Sequence, residues 1–315
     1  MQTTRRELLA GATLSLASGV VAPSEVPMGR EEARDVAEPF AYCLNTSTIS
    51  GQKLGIVDVV EVAAKAGYQA IEPWVREIDE YVKNGGSLRD LAKRITDLGL
   101  TVESAIGFPS WIVDDDARRA QGLEEAKRNM DVVAQIGGKR LAAPPAGATD
   151  VTNLDLAKAA QRYRALLELG DQAGVVPQME VWGFSKAIQR LSDAVYVAIE
   201  SGHPKACVLA DVYHLYKGGS SIHGLSIVNG GAMHVMHMND YPADPPRDRI
   251  TDAQRVYPGD GIAPLNQIIR ILRDIGYRGA LSLELFNREY WTQDALAVAR
   301  TGLERMRAAV MSALA

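Results

Sequence analysis

Eight short apolar runs, each followed by a longer amphipathic one, limit what this chain can fold into. The runs cover residues 40–45, 70–75, 101–106, 140–143, 177–181, 207–211, 234–238 and 281–285. Apolar runs this short, closed off by turn residues, read as buried strands. Between them apolar residues recur at i, i+3 and i+4, the spacing of one helix face: Ile56, Val57, Val60, Ala63 and Ala64; Leu88, Leu91, Ile95 and Leu98; Ile268, Ile271, Leu272 and Ile275. Gly67, Gly174 and Gly276 close three of these helices just before the next strand, where a left-handed cap is needed. Eight strand–helix units in one chain of 315 residues predict a parallel α/β sheet, either closed into a (β/α)8 TIM barrel or doubly wound. The residues after the first strand are Asn45-Thr46-Ser47-Thr48, and no G-x-G-x-x-G fingerprint occurs in the chain, so the barrel is the expected fold.

Composition is that of a globular protein, 47% hydrophobic and 23% charged. No internal Pro-, Gly- or Ser-rich linker divides it, and a single barrel domain is expected over residues 36–315. A net charge of -5 speaks against a nucleic-acid partner, which calls for Lys and Arg gathered on one face. Cys43 and Cys207 fall on strands far apart around a barrel, which predicts two small buried side chains rather than a disulfide or a thiolate metal site. A homo-oligomer is compatible with all of this.

Residues 1–30 read as a signal and linker outside the barrel. Thr4-Arg5-Arg6-Glu7-Leu8-Leu9 places adjacent arginines before an apolar run of small residues over 8–22, too short and too weakly hydrophobic to span a bilayer. The segment resembles a twin-arginine signal, with cleavage near Ala22 or in the polar stretch beyond. The expected location is periplasmic or extracellular. That export route carries folded proteins, so a metal can be acquired beforehand. No cysteine follows the signal directly, and no stable membrane anchor is expected.

Four strands are interrupted by metal-competent side chains near their C-terminal ends. Glu180 stands in Gln178-Met179-Glu180-Val181, Asp211 in Leu209-Ala210-Asp211-Val212, His237 in Val235-Met236-His237-Met238 and Glu284 in Ser282-Leu283-Glu284-Leu285. In a parallel barrel these ends share one rim, where the four can converge on one divalent ion. Three carboxylates and an imidazole suit Mn²⁺ first, with Mg²⁺, Co²⁺ and Zn²⁺ as alternatives. Three buried carboxylates without a cation would be costly, because each raises the pKa of the others and desolvation adds to it.

On these residues the chain resembles the xylose-isomerase-like barrel superfamily of sugar isomerases, epimerases and related lyases. The resemblance runs from about residue 40 to 311 and is most specific in Met179-Glu180-Val181-Trp182, Asp211-Val212-Tyr213-His214, His237-Met238-Asn239-Asp240, Pro258-Gly259-Asp260-Gly261 and Leu283-Glu284-Leu285-Phe286. It implies that Glu180, Asp211, His237 and Glu284 bind one metal, that Glu180 and Glu284 also carry protons, and that His214 contacts substrate. The implied chemistry is proton removal beside a sugar carbonyl to an enediolate, with reprotonation giving isomerisation or epimerisation and loss of a β-substituent giving lyase or dehydratase chemistry.

An exported enzyme points to an unphosphorylated sugar, ketosugar, cyclitol or glycoside as the small-molecule carbohydrate substrate. Arg255, close to the Pro258–Gly261 turn, is a candidate substrate contact, as are Trp182 and Trp111; Trp74, Phe108 and Tyr213 are further candidates for an apolar wall. Glu72 and Glu103, near the ends of strands 2 and 3, are read as supporting residues, and Lys186 and Asp240 likewise. Two rivals share the fold. A nuclease branch uses a histidine-rich zinc cluster, against which stand five histidines and an acidic balance. A non-catalytic sugar-binding barrel has no use for an intact pair of glutamates.

Overall fold

The structure, a computed structural model, describes residues 39–315; residues 1–30, expected to be a twin-arginine-type signal and linker, lie outside the described residues. The chain alternates strand and helix: β1 (Ala41–Asn45), α1 (Ile56–Ala66), β2 (Ala70–Glu72), α2 (Val75–Lys83), α3 (Leu88–Asp97), β3 (Thr101–Val102), α4 (Asp116–Gln135), β4 (Arg140–Ala143), α5 (Leu156–Ala173), β5 (Val176–Glu180), α6 (Leu191–Glu200), β6 (Val208–Asp211), α7 (Val212–Gly218), β7 (Met233–Met238), α8 (Leu265–Asp274), β8 (Ala280–Leu283) and α9 (Ala295–Leu314). All eight strands pair in parallel in the order β3-β2-β1-β8-β7-β6-β5-β4. Ala105 completes the ring: its N–H donates to Arg140 O at 3.1 Å and its carbonyl accepts from Ala142 N at 2.8 Å. The expected (β/α)8 barrel is thus the fold.

Strand alternation sorts the side chains into two sets. Tyr42, Leu44, Ile71, Met179, Val208, Met236 and Leu281 belong to the large core that packs against the helix ring. The other parity faces the barrel axis, where small or slender residues fit: Cys43, Ala70 and Ala280 form one cluster and Ile106, Ala142, Leu209 and Val235 another. Both cysteines are free and buried, as expected. The hydroxyl of Tyr163 on α5 ties the start of β6 to β5, lying 2.8 Å from Pro177 O and 3.0 Å from Cys207 O.

Three strands end two or more residues earlier than the apolar runs predict. β2 stops at Glu72 because Pro73 has no N–H for a ladder, and Val75 already opens α2. β3 keeps two residues, yet a parallel bridge between Trp74 and Ile106 holds the two extensions side by side beyond it. β8 ends at Leu283, but Glu284 donates its N–H to Met238 O at 3.1 Å, so its position is still set by the sheet.

Candidate metal centre and active site

The inward parity continues to the C-terminal ends of the strands, and there it becomes charged. Asp211 is in register with His237, and His237 with Ser282. Glu72 pairs in register with Asn45 across β2 and β1. Glu72, Asp211 and His237 have no solvent exposure, and Glu180 and Glu284 are 3% and 4% exposed.

Asp211 is held on both oxygens. It ends β6 and caps α7, accepting from His214 N at 2.8 Å, while Oδ2 accepts from Arg255 Nη1 at 2.8 Å and Asn239 Nδ2 at 3.1 Å. Glu284 accepts from Asn45 Nδ2 at 3.2 Å and Arg255 Nη1 at 2.7 Å. His237 is oriented from behind. Its Nε2 lies 3.0 Å from Glu72 Oε2, an oxygen that also accepts from Ser282 Oγ at 2.7 Å and Asn45 Nδ2 at 3.0 Å. With Nε2 donating to Glu72, Nδ1 is the nitrogen free to coordinate, and it lies 3.2 Å from Glu284 and 3.6 Å from Asp211.

Electrostatics follow from this crowding. Burial opposes the charged form of Asp211, but Arg255 and His214 hold its carboxyl well below the ordinary range. Burial likewise opposes an imidazolium at His237, yet the carboxylates of Glu284 and Glu72 push its pKa well above the usual value. Glu180 lacks a comparable cation. Burial pushes its carboxyl up to about 8, only partly countered by His237.

The donor set fits a divalent ion. One ligand atom each from Asp211, His237 and Glu284 lie within 4.8 Å of one another. Although buried, His237 Nδ1 and Glu180 Oε2 have no hydrogen-bond partner. Orphaned buried polar atoms of this kind are uncommon, and a cation between them would satisfy both. Glu180 opens onto the same cavity as Glu284 but stands outside the tightest three-residue cluster.

That cavity measures about 370 Å³ and is lined by Glu180, Glu284, His214, Arg255, Asp252 and Arg288 together with a wall of rings. Neighbouring rings run in a chain: Phe286–Trp74 6.0 Å, Trp74–Phe108 5.1 Å, Phe108–Trp182 5.7 Å, Trp182–Phe184 5.1 Å and Phe184–His214 5.5 Å between centroids. Arg255, 1% exposed, is pinned by the antiparallel bridge between Asp240 and Val256, and it pairs with Asp252 as well as with both site carboxylates. Its Nη2 also lies 3.2 Å from His214 Nε2.

Other expected residues sit elsewhere. Trp111, read from the sequence as a substrate contact, is fully buried and absent from this wall; its indole donates to Pro144 O at 2.8 Å and packs on Tyr163. Tyr213 is also buried, reaching Ile250 O at 3.2 Å. Glu103 faces away from the rim, pairing with Arg140 at the start of β4, and Lys186 faces Asp150. Asp240 braces the loop after β7 by accepting from Ala263 N at 2.8 Å and Gly259 N at 3.0 Å. Sequence reading passed over Asn45, Asn239 and Ser282, polar residues at the same strand ends, and over Phe184 and Phe286, which continue the inward parity from Glu180 and Glu284.

Comparison with known proteins assigns the barrel to a family. The profile of the xylose isomerase-like TIM barrel family matches residues 60–309. The chain belongs to that family. An inosose isomerase from Bacillus velezensis is 26% identical over 278 residues, covering 85% of this chain and 96% of the relative. A fructoselysine 3-epimerase from Escherichia coli O157:H7 is 24% identical, covering 83% of this chain and 96% of its own length. A 3-dehydroshikimate dehydratase from Pseudomonas aeruginosa is also 24% identical, over 83% of this chain and 40% of that protein. Among solved structures, an IOLI protein with a bound zinc atom superposes with a TM-score of 0.80 at 23% identity, over 87% of this chain and 99% of its own. The relatives of this xylose isomerase-like barrel are thus isomerases, epimerases and a dehydratase.

Proposed function

We propose that the chain is a divalent-metal-dependent isomerase or epimerase of an unphosphorylated sugar, ketosugar or cyclitol, with Glu180 and Glu284 as the proton carriers. The observation that carries the reading is two buried glutamates opening onto one aromatic-walled cavity beside the Asp211–His237 pair. Asp211, His237 and Glu284, with Glu180 as the fourth donor, would hold the ion; Mn²⁺ suits so carboxylate-rich a set, and Zn²⁺, bound by the IOLI relative, is the alternative. When bound, the ion supplies a Lewis acid for a substrate carbonyl and the hydroxyl beside it.

The protein's own groups do the rest. Arg255 and Asn45 fix Glu284 in one orientation, ready to take a proton from the carbon beside the carbonyl. Glu180, with one oxygen unengaged and opening onto the same cavity as Glu284, is placed to return a proton to the substrate. His214, beside Arg255 on the cavity wall, is placed to bind a substrate hydroxyl. The rings exclude water from the reacting carbon.

The decisive test is incubation of ketosugars, inososes and 3-keto-glycosides with metal-loaded protein in D₂O. Incorporation of deuterium at a carbon next to the carbonyl is expected, and a protein that never exchanges that proton refutes the reading. The same proton removal followed by loss of a β-substituent would give the dehydratase chemistry of one relative. A product absorbing in the ultraviolet as an unsaturated carbonyl distinguishes that outcome. We further propose export through the Arg5-Arg6 signal, tested by whether replacing both arginines with lysine retains the protein in the cytoplasm.

A further inference from the structure

Above the charged floor, the cavity changes character in a way the proton chemistry does not use. Inward strand parity runs on past the strand ends, from Glu72 to Trp74, Ile106 to Phe108, Glu180 to Trp182 and Phe184, and Glu284 to Phe286. Trp291 joins these rings from the loop after β8. Phe108 and Phe184 at the mouth are 38% and 41% exposed, so their ring faces are open to whatever enters the cavity.

A vestibule built for a bare sugar needs free donors and acceptors among its rings. Two of the three indole N–H groups are engaged within the protein, Trp74 donating to Asn45 Oδ1 at 3.0 Å and Trp291 to Ser47 O at 3.1 Å, and Trp182 stands beside Glu180 at the floor. Asp252 is paired with Arg255, and the exposed Arg288 stands at the edge with no hydrogen bond or ion pair among the described residues. Flat apolar faces with few free hydrogen-bonding groups favour a flat apolar group.

Resting on the proposed sugar chemistry at the floor, we propose that the vestibule is a subsite for an aromatic substituent, and that the substrate is an aryl conjugate of the sugar rather than a free monosaccharide. The conjugated ring packs between Phe108, Trp182 and Phe184 while the sugar head reaches Glu180 and Glu284.

Binding to the purified full chain carrying Glu180→Gln, measured by calorimetry and tryptophan fluorescence, separates affinity from turnover. Phenyl β-D-glucoside is expected to bind at least tenfold more tightly than methyl β-D-glucoside. Phe108→Ala and Phe184→Ala, both at exposed positions, should each remove most of that difference by weakening the phenyl glucoside more than the methyl glucoside. Equal affinity for the two glucosides, including failure of both to bind, overturns the subsite, as does a phenyl preference that survives both substitutions. Phenol binding as tightly as the phenyl glucoside overturns the conjugate. The 3-keto forms of both glucosides, given to the unsubstituted enzyme in D₂O, separate the two readings. A phenyl preference without deuterium incorporation leaves the subsite standing and removes the isomerase reading; incorporation with no phenyl preference does the reverse.

Discussion

At the N-terminal end of the barrel Glu103 meets Arg140 at 3.2 Å, with both side chains about a quarter exposed at 25% and 23%, and His234 nearby is pushed down to about 4 by burial and by Arg140. At the C-terminal rim, Glu72, Glu180, Asp211 and Glu284 are all buried, facing His237, His214 and one arginine. The lower end is balanced, one acid against one base, with water close enough to screen them. The rim holds more acid than base, and polar atoms there lack partners. Structural ion pairs need no third party; a buried excess of carboxylate does. This contrast identifies the functional end of the barrel on electrostatic grounds alone.

The contrast breaks most visibly at the two glutamates. Glu180→Gln or Glu284→Gln keeps the shape and removes the proton carrier, so turnover should fall by about 10³-fold or more while circular dichroism and melting stay near those of the parent. Loss of the fold instead would make these residues structural.

Next in size is the residue behind His237. Glu72→Gln removes the carboxylate that orients Nε2, and metal affinity by competition with a chelator should weaken by about 10–100-fold. If affinity is unchanged, His237 is oriented by something else.

A third effect is on stability. Burial raises the folded-state pKa of Glu180 to about 8, so the folded protein binds this proton more tightly than the unfolded chain does. Its contribution is therefore fully present below about 4.5 and is lost as pH rises towards about 8, at up to ~1.4 kcal/mol per pH unit. Denaturant titrations of chelator-treated protein should show this decline, and Glu180→Gln should flatten it. Because metal ligands bind deprotonated, adding the divalent ion should release a proton, measurable by calorimetry in buffers of different ionisation enthalpy.

Smallest is the control at the other end: Glu103→Gln should cost well under ~1 kcal/mol and leave metal affinity unchanged, since its ion pair is partly exposed.

Much of the rim was legible before the fold was known. Glu180, Asp211, His237 and Glu284 stand out because a charged residue inside an apolar strand is conspicuous wherever it lies. Asn45, Asn239 and Ser282 escaped for the opposite reason: an uncharged polar residue at a strand end is common and carries no signal until its partner is known. Trp111 misled because an aromatic ring beside a strand end can turn either way, and the carbonyl of Pro144 drew its indole inward. The same ambiguity hid Phe184 and Phe286, which lie past the strand ends, where periodicity is no longer expected to hold.

Local pattern thus decided how many strands form, which face of each is apolar and where four potential ligands sit, since these depend on spacings of a few residues. Tertiary structure alone decided that Glu72, from the first half of the barrel, braces a histidine 165 positions later, and that Arg255 leaves its loop to bind two of the predicted ligands. Both are contacts across a closed ring of strands, and no local rule reports which residues a closed ring brings face to face.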